Sequence, residues 1–522
     1  MQESLLKSCA AEFGTPLYVY DFDKISAQFE AFKNAFKARK SLICYALKAN
    51  PNLSVIQHLS AQGAGADCVS IGEVRRALLS GVPKYKVIFS GVGKRDDEIL
   101  EALQSDILFL NIESEAELLR IESIAQSIRK VARISVRVNP NIDAKTHPYI
   151  STGLHENKFG VDMESAKKLY IYAKKSQSLD PVGIHFHIGS QLIELSPIIQ
   201  GAQKVAQLAH SLLALKIELK FFDVGGGIGI CYENEKTINL YDYAQGILGA
   251  LKGLDVTIIC EPGRFLVAES GVLLTKVLYE KYNEKKRFII IDAAMNDLMR
   301  PTLYDAVHKV RVLDSKQPNS VAESTDFKQP KNVKYGREAE PSGIHFREGD
   351  TINGIDSKQP NSVAESTDSV NQKNVKCGRA TQWSGGEAGF IPAQTIQSNG
   401  IEAEVKRDSL PQGDTSNGAA IVQRTNQSKA DIVGAICESS DFLAKGVEMP
   451  SLANGDLLCF ANAGAYGFSM AHSYNTRQRA AEVGVRNGKA FLIREREKFE
   501  DLIAPELKFL SLQDSDKNTE GK

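Results

Sequence analysis

The chain has 522 residues, 43% hydrophobic and 24% charged, with a formal net charge of -1. That length and balance describe a globular protein of more than one domain. They exclude the basic footprint of a nucleic-acid or membrane-surface binder.

Met1–Phe13 carries no apolar leader core. Nowhere does an apolar run approach the roughly 18 residues of a membrane span, so a cytoplasmic protein is expected. Pro16–Tyr20 reads as an early strand. Eight short apolar runs follow: Ser41–Leu47, Gly65–Val69, Lys86–Phe89, Ile107–Leu110, Arg133–Val138, Val182–His187, Phe221–Val224 and Val256–Cys260. Each is rich in Val, Ile, Phe or Cys and too short for a helix. Helix-like segments lie between them. Glu113–Lys130 has Leu118, Leu119, Ile121 and Ile124 at helical spacing, and Ile198–Leu215 is another.

Strands alternating with helices predict parallel βα units. Eight of them predict a closed (β/α)8 barrel over 23–262, with functional groups at the C-terminal strand ends. A doubly wound open sheet is the alternative. After Arg264 the texture changes. Val267–Leu278, Arg287–Asp292, Lys309–Leu313, Asp431–Ile436, Asp456–Phe460 and Lys489–Arg494 read as strands without long helices between them. They predict a C-terminal β-rich domain over 263–522, joined by the N-terminal strand segment 1–22.

Residues 314–429 are rich in Ser, Gln, Asn, Lys and Gly, and they repeat. The thirteen-residue segment from Asp314 to Asp326 recurs unchanged at 356–368, and Lys331–Lys334 recurs at 373–376. Two copies are too few for a solenoid. The composition buries little apolar surface, so a long, disordered low-complexity insertion at a surface hairpin is expected.

Eight cysteines are scattered, with no C-x-x-C pair, so no metal site is expected and several read as reduced core residues. The chemistry gathers at strand ends. Lys48, in Tyr45-Ala46-Leu47-Lys48-Ala49-Asn50, follows the first barrel run. A strand-end lysine is ordinarily a solvated charge. Partly desolvated in a barrel mouth, its pKa falls and it can attack a carbonyl. In His185-Phe186-His187-Ile188-Gly189-Ser190, the two histidines point to one face of a strand. His187 can lie flat against a cofactor ring, Ser190 can donate to a phosphate, and His185 is packing or support.

Gly225, Gly226, Gly227 and Gly229 make a tight turn, or let backbone N–H groups approach a phosphate. Their spacing is not the dinucleotide fingerprint. Glu261, in Cys260-Glu261-Pro262-Gly263-Arg264, can pair structurally with Arg264 or keep a pyridine nitrogen protonated, and Gly263 and Arg264 offer further phosphate donors. Arg300 and Tyr304 are four apart and share a face, where the arginine suits a carboxylate as a two-pronged donor. Cys437, beside Glu438, is inert or delivers a proton if its pKa is tuned. Tyr466, in Gly464-Ala465-Tyr466-Gly467, can reach a phosphate.

These pieces, with Met295–Pro301, stand in the order of the fold-type III pyridoxal phosphate-dependent decarboxylases, which the chain resembles over all but 314–429. The resemblance implies an alanine-racemase-like barrel plus a β-domain. It also implies pyridoxal 5'-phosphate as cofactor and a head-to-tail homodimer with shared active sites. On it, Lys48 carries the cofactor covalently, His187 stacks on the ring and Glu261 holds the ring nitrogen. Ser190, Gly225, Gly226, Gly227, Gly263, Arg264 and Tyr466 surround the phosphate. Arg137, in Val136-Arg137-Val138-Asn139, matches the arginine near the ring oxygen.

Arg264, Arg300, Tyr304 and Tyr466 hold the far end of the substrate, with Glu438 on its distal ammonium. Cys437 and Glu438 come from the partner subunit, and Cys437 protonates Cα. Ala435 and Ser440 depart from the family pattern without removing a reacting group. The implied reaction is decarboxylation of meso-2,6-diaminopimelate to L-lysine and CO2, the last step of lysine biosynthesis. Carboxynorspermidine, ornithine or arginine are the alternative substrates, and a non-catalytic cofactor-binding regulator is the alternative class. Arg300 with Tyr304 argues against ornithine, which lacks a second carboxylate.

Overall fold

A computed structural model of the chain describes residues 1–143, 153, 157–284, 286–313 and 427–516. The first strand, β1 (Leu17–Asp21), precedes eight parallel ones. These are β2 (Ser41–Ala46), β3 (Gly65–Cys68), β4 (Val87–Phe89), β5 (Phe109–Ile112), β6 (Ala132–Arg137), β7 (Leu179–His185), β8 (Phe221–Asp223) and β9 (Thr257–Cys260). They close into a barrel, with β2 pairing with both β3 and β9. The closed ring removes the open-sheet alternative. Its interior is filled: Cys44, Ile88, Phe109, Val182 and Ile259 form one buried cluster drawn from five of the strands, as a (β/α)8 core requires.

The crossover helices start where polar side chains cap them. Ser70 accepts from the Glu73 N–H, Ser114 from the Glu117 N–H, and Asp162 from the Glu164 and Ser165 N–H groups. The helices expected at 113–130 and 198–215 are Glu115–Ser127 and Leu195–Ala214.

Beyond the barrel come β10 (Gly271–Asn283), β11 (Lys286–Ile291), β12 (Val310–Leu313), β13 (Ser428–Val433), β14 (Phe442–Met449), β15 (Leu457–Phe460), β16 (Ala481–Arg486) and β17 (Lys489–Arg494). They build a mixed sheet in the order β14-β13-β11-β10-β1-β16-β17, with β15 joining β10 to β12. β1 is parallel to β16 and antiparallel to β10, so the N-terminal strand belongs to this sheet.

Several details differ from expectation. β14 and β16 are additional strands. Residues 267–270, expected at the start of the strand Val267–Leu278, end a pair of helical turns instead. A helix, Glu3–Phe13, precedes β1 and packs Leu6, Cys9 and Ala10 against Leu17, Val19 and Leu274. A second long helix, Phe499–Asp516, ends the described chain. The insertion expected at 314–429 lies outside the described residues up to 426, and its last two positions, Ser428 and Lys429, already belong to β13.

The sheet reaches the barrel mouth through backbone contacts. Tyr466 N–H donates to the Ala49 carbonyl at 2.8 Å, and Asn50 Nδ2 donates to the Gly464 carbonyl at 3.2 Å. The loop after β2 is thereby tied to the loop after β15.

Candidate active site

The barrel strands deliver polar groups into one cavity of about 380 Å³, and the sheet domain closes over it with Arg300, Tyr304, Tyr466 and Met470. A larger hollow of about 760 Å³ beside β12 and β14 shares none of these strand-end groups.

Three buried carboxylates line one side of the barrel mouth: Asp67 at the end of β3, Asp223 at the end of β8, and Glu261 just after β9. Glu261 Oε2 lies 3.4 Å from His185 Nε2, while its Oε1 is buried with no partner among the described residues. Asp223 and Glu261 bring carboxylate oxygens within 4.8 Å of each other, and two buried carboxyl groups this close do not both ionise readily. Burial pushes Asp223 well above the usual carboxylate range, and the neighbouring Glu261 adds to the shift. Burial also presses Glu261 upward, but His185, then Lys48, outweigh it and hold Glu261 well below that range. Glu261 is the ionised member and Asp223 keeps a proton. His185, Asp223 and Glu261 bring ligand atoms within 4.8 Å of one another. A protonated Asp223 is a poor metal ligand, whereas the open Glu261 oxygen fits the N–H of a pyridinium ring.

Lys48 stands in the short turn after β2, with Nζ 3.2 Å from Asp67 Oδ2 and its side chain 39% exposed to the cavity. Its expected lowered pKa is corrected. Burial does push the ammonium down, but Asp67, then Tyr466 and Glu261, raise it above its ordinary value. For Lys48 to act as a nucleophile a proton would first have to leave it, and Asp67 is its hydrogen-bonded neighbour.

On the other side of the cavity the charge is positive. Arg264 donates from Nη1 to the Tyr232 hydroxyl at 2.6 Å and from Nη2 to Ser190 Oγ at 3.1 Å, under the Tyr466 ring at 4.9 Å. Its Nε is buried without a partner among the described residues. Arg300 is 6% exposed and lies 5.3 Å from the Tyr232 ring centre and 5.9 Å from that of Tyr304. Neither guanidinium has an acid partner among the described residues, though buried charges are ordinarily paired. The alternative Arg264–Glu261 ion pair does not form. A bound phosphate or carboxylate is what this pair of cations lacks.

β7 ends at His185, so His187 lies past the strand rather than on its face. Gly226 N–H donates to His187 Nδ1 at 3.3 Å, which leaves the proton on Nε2. Burial, with Arg137 and Lys48 nearby, pushes the imidazole well below its ordinary pKa, so it is neutral. Arg137 is held by Glu113 at 2.9 Å and by the Phe159 ring at 4.6 Å.

The glycine run passes so close to its neighbours that side chains do not fit. A Cβ on Gly226 would lie 2.1 Å from the Glu261 carbonyl oxygen, and Gly227, at φ +105°, would meet the Gly189 oxygen at 2.2 Å. Gly263 packs against Ala46 and Ala49. Gly226→Ala is expected to cost about 1–3 kcal/mol by overpacking, with cofactor affinity falling as Glu261 shifts. Denaturant unfolding and a cofactor titration check this, and a variant matching the parent in both contradicts the close approach.

Cys437 and Glu438 do not enter this cavity within one chain. They sit on an exposed loop, where Cys437 N–H donates to Asn475 Oδ1 and Tyr474 donates to Glu438 Oε1 at 2.6 Å. Asp441 clamps the loop by accepting from the Met295 and Ile436 N–H groups.

Five supporting residues escaped sequence reading: Asp67, Glu113, Asp223, Tyr232 and His308. Asp67 and Asp223 had a usable signal, an acid at the C-terminal end of a barrel run. Glu113, directly after β5, carried the same signal, and nothing local marks Tyr232 or His308.

The pyridoxal binding domain of the pyridoxal-dependent decarboxylases matches residues 22–268, and the C-terminal sheet domain of such enzymes matches residues 397–464. The chain is 47% identical over 498 residues to a diaminopimelate decarboxylase of Helicobacter pylori strain J99, covering 95% of this chain and 97% of that one. It is 45% identical over 505 residues to the diaminopimelate decarboxylase of Campylobacter jejuni, covering 97% and 99%. A crystal structure of diaminopimelate decarboxylase from Helicobacter pylori complexed with L-lysine has a TM-score of 0.74 to this fold at 45% identity, covering 96% of this chain and 99% of that one.

Proposed function

The chain belongs to the pyridoxal-dependent decarboxylases, and from that premise we propose that it converts meso-2,6-diaminopimelate to L-lysine and CO2 with pyridoxal 5'-phosphate as cofactor. The observation that carries the substrate is the pair of buried guanidiniums without acid partners among the described residues, Arg264 and Arg300. Arg264 answers the cofactor's phosphate and, together with Arg300, a carboxylate on the far end of the substrate.

When bound, pyridoxal phosphate supplies a protonated pyridine ring that takes up the electron pair left by departing CO2. The chain supplies the rest. Lys48 carries the cofactor between turnovers and, once released, rests its ammonium on Asp67. Glu261 keeps the ring nitrogen protonated through its open Oε1. Neutral His187, oriented by the Gly226 N–H, would supply a flat face for the ring. Arg137, braced by Glu113, would supply a donor for the ring oxygen. Ser190, Gly225, Gly226, Gly227, Gly263, Arg264 and Tyr466 surround the phosphate. Arg264, Arg300, Tyr304 and Tyr466 hold the distal carboxylate.

Two roles fall to a second copy. Cys437 of the partner subunit delivers the proton to Cα, and Glu438 of the partner subunit takes the distal ammonium. The exposure of both on one chain supports this homodimer. Lys48→Ala and Cys437→Ala proteins, each inactive alone, are then expected to regain about one-quarter of parental activity when unfolded and refolded together, because mixed dimers of two-fold symmetry keep one intact site. No recovery on mixing refutes the shared site.

No helix among the described residues is long and apolar enough to cross a membrane. Their seven cysteines are all unpaired, which supports a cytoplasmic location. The deciding experiment incubates the protein with cofactor and meso-2,6-diaminopimelate, then analyses amino acids. Lysine in amounts matching CO2 is expected, with no CO2 released from ornithine or arginine. CO2 release from ornithine at an equal rate overturns the substrate.

A further inference from the structure

Arg300 is not held by an acid, yet its direction is fixed. Its Nε lies 3.3 Å from His308 Nε2, and His308 Nδ1 lies 2.9 Å from the Ala461 carbonyl oxygen. A carbonyl only accepts, so Nδ1 bears the imidazole proton. Nε2 then carries the lone pair and accepts the Arg300 Nε–H. His308 is 2% exposed, and its ring meets Tyr232 edge-on at 5.6 Å. Burial, then Arg300, pushes its pKa down to about 4, in keeping with that tautomer. The loop bearing His308 is pinned further where Ala461 N–H donates to the Lys309 carbonyl at 2.8 Å. His308 itself does not line the active cavity, whereas Arg300 does.

We propose that His308 is the positioning residue for the distal carboxylate: by accepting from Arg300 Nε without neutralising it, it leaves both terminal nitrogens and the full positive charge for the substrate. The physical point is the choice of acceptor. A glutamate or aspartate would orient the guanidinium equally well but would occupy its charge, and a substrate carboxylate would then have to compete. A neutral acceptor orients and does not compete. Specificity for an amino acid with an anionic far end thus rests on a side chain that never touches it. This inference rests on the function proposed above.

L-lysine and cadaverine separate the two. They differ only in the one carboxylate, and both are titrated into holoenzyme at equilibrium, with no turnover needed. His308→Leu is expected to weaken L-lysine about 10–100-fold, the worth of a hydrogen bond to a charged group, and to leave cadaverine unchanged. His308→Gln, which retains an acceptor near Nε2, is expected to restore L-lysine binding to within about threefold of the parent. His308→Glu, nearly the shape of Gln, is expected to weaken L-lysine at least as much as Leu does. In turnover the Leu and Glu variants are expected to raise KM for diaminopimelate while kcat stays within about threefold, and the Gln variant is expected to keep KM near the parental value.

The Gln and Glu pair keeps the test decisive even if the Leu variant folds poorly. The proposal is overturned if Glu binds L-lysine as the parent does. It is equally overturned if L-lysine and cadaverine weaken together, which marks a general packing defect. A parent holoenzyme that makes no lysine from diaminopimelate would instead sink the proposed reaction, and the ligand comparison would still report on His308.

Discussion

Lys48→Ala is expected to lose lysine formation by about 10⁴-fold or more, the upper end of what a positioned proton-transfer group contributes, because in the proposed function the residue also anchors the cofactor. Borohydride treatment of the parent is expected to fix the cofactor to the peptide that contains residue 48, and the variant is expected to show no fixed cofactor. The geometry makes substitution by a neighbour implausible. Lys48 is the lysine lining the cavity, and its Nζ is the one hydrogen-bonded to Asp67. Folding should not explain the loss. The Lys48 side chain is 39% exposed, so its truncation opens no sealed cavity, and the buried Asp67 left behind takes up a proton rather than staying as an unpaired charge. Thermal unfolding of cofactor-free protein checks this, with a shift of only a few degrees expected. Tagging of another side chain, or CO2 release at the parental rate, sinks the assignment.

Glu261→Gln is expected to lower kcat about 10²–10³-fold, the usual loss when one preorganised electrostatic stabiliser is removed. The glutamine keeps the size of the side chain but cannot ionise, so the ring nitrogen loses its counter-charge. Asp223 is no substitute. It is fully buried, burial and Glu261 hold its pKa up, and its Oδ1 already accepts from the Gly225 N–H at 2.9 Å. The sign of the pH effect follows from the direction of each shift. Glu261 is held below the ordinary carboxylate range, so it stays ionised throughout about pH 5–8 and contributes no acid limb there. Steady-state kinetics, with cofactor occupancy followed by absorbance, measure the loss. A variant with full occupancy and kcat within about threefold of the parent refutes the role.

The barrel was legible because its signals are local. Each of the eight apolar runs needs only its own residues to read as a strand, and the polar clusters follow them directly in the chain. The two strands that escaped notice explain themselves in the same terms. Among the described residues Phe442–Met449 is an edge strand paired with β13, and its exposed Lys445, Gly446 and Glu448 break the apolar pattern. Ala481–Arg486 carries Glu482, which is buried but satisfied by the Tyr20 hydroxyl and Asn52, partners more than 400 residues away.

Sequence alone determined the architecture of the barrel and the positions of Lys48, His187 and Glu261 at its strand ends. Tertiary structure decided the charges. Lys48 is a raised ammonium because Asp67, on the next strand, lies 3.2 Å away. Glu261 is ionised because His185 and Lys48 favour its charge while Asp223 keeps the proton. Arg300 is oriented but not neutralised because His308 reaches it as an acceptor. Strand formation follows from short-range burial patterns carried along the chain. Protonation and orientation depend on distances of a few ångströms between segments that meet only when the chain is folded.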